Sequence, residues 1–159
     1  MSRIQSLLDE YSENHRNETN KVVHWICVPA IVISLLGLLW SIPVPYVFHT
    51  IRIGPVYLNW AIIFMMLALI YYTRLSLPLA VGMLFVGAFF LYVNYLLSRS
   101  GVLPLWAFSL IIFSLAWIGQ FWGHKVEGKK PSFLKDLQFL LIGPVWLLHF
   151  IYRKAGIGY

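Results

Sequence analysis

Four apolar runs close to bilayer length, at 22–40, 57–73, 77–98 and 103–122, decide most of what this chain can fold into. A helix of about 20 residues covers the ~30 Å hydrocarbon layer of a membrane, and the second run only just reaches that length. Composition points the same way. The 159 residues are 60% hydrophobic, 17% aromatic and 11% charged, with mean hydropathy +0.75, whereas a soluble domain carries about 25% charged residues. The connections at 73–77 and 98–103 are short, so runs two to four must be antiparallel to their neighbours. Residues 41–56 contain Pro43, Pro45, Gly54 and Pro55 and cannot be helical throughout.

A fifth apolar stretch, 134–152, is interrupted by Gly143-Pro144. Proline removes a helical hydrogen bond and clashes with the preceding turn, so a kink or break is expected there. That favours a re-entrant or interfacial hairpin over a full crossing. Ahead of the first run, Ile4, Leu7, Leu8 and Tyr11 recur at i, i+3, i+4 and i+7, the pattern of one helical face. This segment reads as an amphipathic helix on the membrane surface, with Ser2 as its cap. It is not a signal peptide, because Asp9, Glu10, Glu13 and Glu18 outweigh its bases and no small-residue cleavage site follows. Asn14, Asn17, Thr19 and Asn20 then supply turn and capping chemistry. The expected architecture is an all-α integral membrane protein forming a single helical domain over 1–159. It comprises the amphipathic helix, four transmembrane helices and the Gly-Pro-broken last segment.

The net charge of +6 and pI near 9.6 do not imply nucleic acid, since the charges are not grouped on a polar domain. They orient the chain. With the N-terminus in the cytoplasm, Arg3, Arg16, Lys21, Arg74, Lys125, Lys129, Lys130 and Lys135 lie inside and Arg52 and Arg99 outside. Arg153 and Lys154 join the inside if the last segment turns back. A cytoplasmic N-terminus is therefore expected, in a bacterial inner membrane rather than an organelle membrane. The single cysteine, Cys27, can form neither an intrachain disulfide nor a cysteine-based zinc site. No pattern of residues assigns an oligomeric state.

Topology sorts the five histidines. His24 opens the first run and His124 closes the fourth, so an even number of crossings brings them to one face, and His15 precedes them there. His49 falls in the outer loop. His149 joins only if the last segment turns back, because a straight helix would carry it ~20 Å deeper. His15 and His24 are nine residues apart, about 180° on a continuous helix, so they converge only if the asparagine-rich stretch bends. Gln120 and His124 share a helical face, which Glu127 continues if the helix survives Gly123 and Gly128. Imidazole is the commonest metal ligand, and converging imidazoles at a membrane edge suggest a metal centre facing a lipid-like substrate. Plainer readings stand beside this one. An interfacial histidine is often a head-group or capping residue, and the tryptophans are mostly an aromatic belt. The Lys125, Lys129, Lys130 cluster is more often a topology signal than a clamp. Asn94 and Gln120 serve equally as interhelical glue, and no fixed metal motif of the HExxH kind is present.

The stretch YSENHRNETNKVVHWICVP (11–29), with WIGQFWGHKVEGKKPSF (117–133) and LLIGPVWLL (140–148), resembles the Mpo-like family of membrane proteins. The resemblance covers nearly the whole chain. It implies a small multispanning iron(II)-dependent dioxygenase that uses dioxygen to shorten 2-hydroxy fatty acids by one carbon, the α-oxidation reaction, in contact with membrane lipid. It implies His15, His24 and His124 as catalytic metal ligands, with Glu127 or His149 completing the set. Iron(II) held by histidines keeps open positions for a chelating 2-hydroxy acid and oxygen. Lys125, Lys129, Lys130 or Arg153 would neutralise the substrate carboxylate. Tyr11, Asn20 and Gln120 would support the imidazoles. A non-enzymatic scaffold or lipid-binding helical bundle is the alternative, explaining the aromatics and basic loops and tolerating histidine substitution. A transporter is disfavoured by the lack of an internal repeat, and a zinc hydrolase by the lack of a placed nucleophile or base.

Overall fold

The computed structural model describes residues 3–13, 15–128 and 140–159. Ser2, Asn14, Lys129, Lys130, Lys135 and the first part of the 134–152 stretch lie outside those residues. Six α-helices run through the described residues: α1 (Arg3–Glu13), α2 (Glu18–Ser41), α3 (Trp60–Leu75), α4 (Leu77–Arg99), α5 (Leu105–Glu127) and α6 (Ile142–Ala155). The proline-rich loop after α2 holds a 3₁₀ turn (Tyr46–Thr50) and a small antiparallel hairpin, β1 (Arg52–Ile53) and β2 (Val56–Tyr57). Gly54, at φ +61, begins its tight turn just ahead of Pro55.

Helices α2, α4 and α5 are long and apolar enough to cross a membrane. The second of the four expected crossings, the one that only just reached bilayer length in the sequence, is α3, with 16 residues, about 24 Å of helix. Polar caps shorten it. The Asn59 side chain accepts from the Ile62 N–H and starts the helix after β2, and Ser76 closes it. The same Ser76 caps α4 by accepting from the Leu79 N–H, so α3 and α4 form a tight hairpin. At Gly143-Pro144, where a kink or break was expected, a helix begins, and the part of the stretch before residue 140 lies outside the described residues. The pair sits in the first turn of α6, where a proline loses no helical hydrogen bond.

The apolar stripe of α1 is real, but protein covers it. Ile4, Leu8 and Tyr11 are buried in one cluster with Val145, Trp146 and Leu148 of α6, and burying an Ile or Leu is worth about 1.5–3 kcal/mol relative to water. The apolar face of this helix, expected to lie on lipid, docks on α6. By contrast, Phe85 and Phe89 of α4 and Leu115 and Ile118 of α5 point outward, as lipid-facing side chains do.

The most extensive helix pairing joins α2 and α5, which run antiparallel. Small residues permit it. A Cβ at Gly119 would lie 2.6 Å from Cys27 Sγ, one at Gly123 would lie 2.5 Å from Asn20 Oδ1, and one at Gly37 would collide with Ser109 and Asn94. Membrane helices associate through such close approach because lipid offers them no hydrophobic drive. Asn94 adds polar glue, donating from Nδ2 to the Ile33 carbonyl on α2 at 3.0 Å and to Phe90 on its own helix at 3.0 Å. The pairing sets the end of α5 beside the start of α2.

Candidate metal centre

At that junction His15, His24 and His124 converge. All three are buried, and one ring nitrogen from each lies within 4.8 Å of the others, the only such group of metal-binding side chains among the described residues. The bend that His15 required is present. Helix α1 ends at Glu13, and the Asn17 side chain caps α2 by accepting from the Thr19 and Asn20 N–H groups. His15 therefore folds back on His24, with ring centroids 4.1 Å apart, and His124 closes the group at 5.6 and 5.4 Å.

Backbone carbonyls fix the imidazoles. His15 Nδ1 lies 2.6 Å from the Tyr11 carbonyl and His24 Nδ1 lies 2.9 Å from the Asn20 carbonyl. A carbonyl only accepts, so each Nδ1 carries its proton and donates, leaving Nε2 as a bare lone pair. Yet the two Nε2 atoms face each other at 2.8 Å. Two lone pairs at that separation repel unless a cation lies between or beside them. Nitrogens on one metal ion at about 2.1 Å sit roughly 3.0–3.4 Å apart, close to this spacing. The donor set thus fits a metal ion, and imidazole ligands suit zinc, copper, iron and nickel alike.

Around the trio, the Tyr11 ring stacks on His15 (4.2 Å, 14°) and leans on Trp146. Trp146 donates to Ser12 Oγ at 2.8 Å, and Ser12 in turn donates to the Leu8 carbonyl. Trp146 and Ser12 carried no obvious signal in the sequence. The carbonyl contacts did, because both histidines lie four residues after their partner. That offset returns a side chain to the backbone one helical turn earlier.

The structure does not bring the other candidate ligands into the group. Helix α5 does persist through Gly123, but Glu127 turns toward the start of α2. Its carboxylate accepts from the Arg16 N–H (2.9 Å), the Asn17 N–H (3.0 Å) and Asn20 Nδ2 (3.0 Å). It holds the turn that carries His15. His149 is buried on α6 but bonds through Nδ1 to the hydroxyl of Tyr159. Burial, then Arg153, lowers its pKa from the ordinary imidazole value. His49 lies in the loop region, packed against Tyr46 and Tyr57.

Tyr11, His24, His124, Trp117, Gln120 and Val28 are among the residues lining a cavity of about 40 Å³ beside the trio. Lys125 and Arg153 are exposed and do not line it, and Lys129 and Lys130 lie outside the described residues. Asn20 supports His24 through its carbonyl rather than its side chain, while Gln120 faces the cavity without bonding an imidazole. A larger apolar cavity of about 140 Å³ lies between α2, α4 and α6, lined in part by Trp25, Phe90, Leu147 and Leu148. It shares Val28 with the first.

No solved structure matches the chain. It is 28% identical over 155 residues to the 2-hydroxy-palmitic acid dioxygenase MPO1 of Saccharomyces cerevisiae, an alignment covering 96% of this chain and 82% of that protein. Residues 1–155 match the family described as 2-hydroxy-palmitic acid dioxygenase Mpo1-like, and the chain belongs to that family.

Proposed function

We propose that the protein is an iron(II)-dependent dioxygenase that shortens 2-hydroxy fatty acids by one carbon at the cytoplasmic face of a membrane. The observation that carries this reading is the pair of facing Nε2 lone pairs on His15 and His24, with His124 beside them. Such a buried arrangement is costly without a cation. The family and the named yeast relative supply the substrate class.

His15, His24 and His124 would hold the metal, which supplies the redox step with dioxygen. The chain's own residues do the rest. The Tyr11 and Asn20 carbonyls keep both imidazoles in the ligating tautomer. Glu127 keeps the intervening turn closed. Val28, Ile31 and Leu140 exclude water from the reacting end of the acid, and the cavity beyond Val28 receives the acyl chain from the lipid side. Lys125, exposed on the same end of α5, attracts the carboxylate.

The test uses the full chain in detergent, assayed for bound iron and for oxygen uptake with 2-hydroxyhexadecanoic acid. Iron at about one per chain and uptake coupled to pentadecanoic acid are expected. Absence of both bound iron and uptake, or full activity in the doubly substituted His24→Ala, His124→Ala protein, would overturn the proposal.

A further inference from the structure

Gln120 is a buried polar side chain whose oxygen has no partner. It lies on α5 one turn before His124, is only 6% exposed, and lines the cavity with His24, His124 and Trp117. Its Oε1 is buried without a hydrogen bond. Asn94 shows what a polar residue looks like when it ties helices together, since its amide donates to the Ile33 carbonyl across the helix interface. Gln120 makes no comparable bond to α2, so packing does not explain an amide among Val28, Ile31 and Leu140. A buried acceptor left unpaired is costly, and its position beside the metal-binding imidazoles points to a ligand that brings the missing donor.

We infer that Gln120 reads the 2-substituent of the acid, its Oε1 accepting the hydrogen bond that a 2-hydroxyl donates. This assignment rests on the proposed substrate class. Within that class the choice of donor is forced. An ionised carboxylate has no proton to give and an acyl chain has no polar hydrogen, which leaves the 2-hydroxyl as the donor. An acid without the hydroxyl leaves Oε1 unpaired and is rejected for that reason, as sites built around a hydroxyl reject analogues that lack it.

The experiment is a set of anaerobic tryptophan-fluorescence titrations of the full chain in detergent. Wild type and Gln120→Met are each titrated with 2-hydroxyhexadecanoic acid and with hexadecanoic acid at the same metal loading. Dividing the two affinity ratios cancels micelle partition and chelation by the metal, leaving the contribution of the amide. Wild type should prefer the hydroxy acid about tenfold more strongly than the variant does, the effect of one hydrogen bond. The variant's melting temperature should not fall, because removing an unpaired buried acceptor is close to neutral.

A variant with the wild-type preference overturns the assignment and leaves the enzyme reading intact. Wild-type protein that binds neither acid overturns both. Should the methionine variant fail to fold, wild type alone decides after iron removal by a chelator. Tighter binding of the 2-hydroxy acid than of 2-fluorohexadecanoic acid, which lacks the donor, supports the role, and equal binding refutes it.

Discussion

Glu127 separates two readings of this site. As a ligand it would be needed for metal directly; as the clamp seen here it acts through His15. Replacing it with alanine removes the acceptor shared by the Arg16 and Asn17 N–H groups and by Asn20 Nδ2. Arg16 and Asn17 are exposed, so water takes over their bonds at little cost. Asn20 is 0% exposed, and stranding its amide costs about 1–3 kcal/mol. That cost falls on the closed turn in which His15 meets His24, so it appears as weaker metal binding, by roughly 5- to 150-fold. Loss of an outer partner of a metal ligand commonly costs about 10–100-fold, in the same range. Glu127→Gln keeps an amide oxygen for one or two of these donors and should lose less than about tenfold.

The assay is competition for iron(II) against a chromogenic chelator, under nitrogen, with His24→Ala as the reference for a lost ligand. The expected order of affinity is wild type, then Gln, then Ala, with His24→Ala far below. Glu127→Gln falling as low as His24→Ala would make Glu127 a ligand and refute the clamp. Glu127→Ala indistinguishable from wild type would show that the turn is held by something else.

Gly123→Ala should destabilise the protein by about 1–3 kcal/mol, because its Cβ would lie 2.5 Å from Asn20 Oδ1 and 3.2 Å from Val23. A thermal melt of the detergent-solubilised protein measures this, and no shift would contradict the close pairing of α2 with α5. His149 makes the C-terminal turn pH-sensitive. Its folded pKa lies below the ordinary 6.5, through burial and then Arg153, so its contribution is complete above the unfolded value and is lost as pH falls through the folded one. Hydrogen-exchange protection over 150–159, corrected for the intrinsic exchange rate at each pH, should therefore fall as pH drops below the ordinary 6.5, and His149→Phe should abolish the change. Leu148→Trp fills the apolar cavity beside Val28 and should lower turnover of long 2-hydroxy acids more than short ones. Equal loss across chain lengths would remove that cavity from the acyl path.

Much of this architecture is legible in the sequence because hydropathy and proline chemistry act locally. The runs read as 77–98 and 103–122 begin within a residue or two of α4 and α5. The 57–73 run was harder, because hydropathy does not register that Asn59 starts the helix late. His149 illustrates a different limit. Gly156, at φ +70, reverses the chain and returns Tyr159 to the His149 ring, a contact that helical periodicity cannot reveal. Convergence of His15, His24 and His124 was readable because counting crossings needs no side-chain geometry. The tautomers, which carry the chemistry, depend on carbonyl positions 2.6 and 2.9 Å away.

Glu127 shows how helix packing gives a carboxylate near the imidazoles other partners. Three residues after His124 on one helical face, it looks like a further ligand. The antiparallel pairing of α2 and α5, which no short connection dictates, brings the first turn of α2 to the end of α5. A helix N-terminus presents unsatisfied N–H groups and a partial positive charge, and a carboxylate there gains by roughly 0.3–1 kcal/mol beyond its individual hydrogen bonds. With Arg16, Asn17 and Asn20 all donating to it, the Glu127 carboxylate already has its cationic partner in the helix end. The metal is left to the imidazoles, where the Nε2 atoms of His15 and His24 face each other at 2.8 Å.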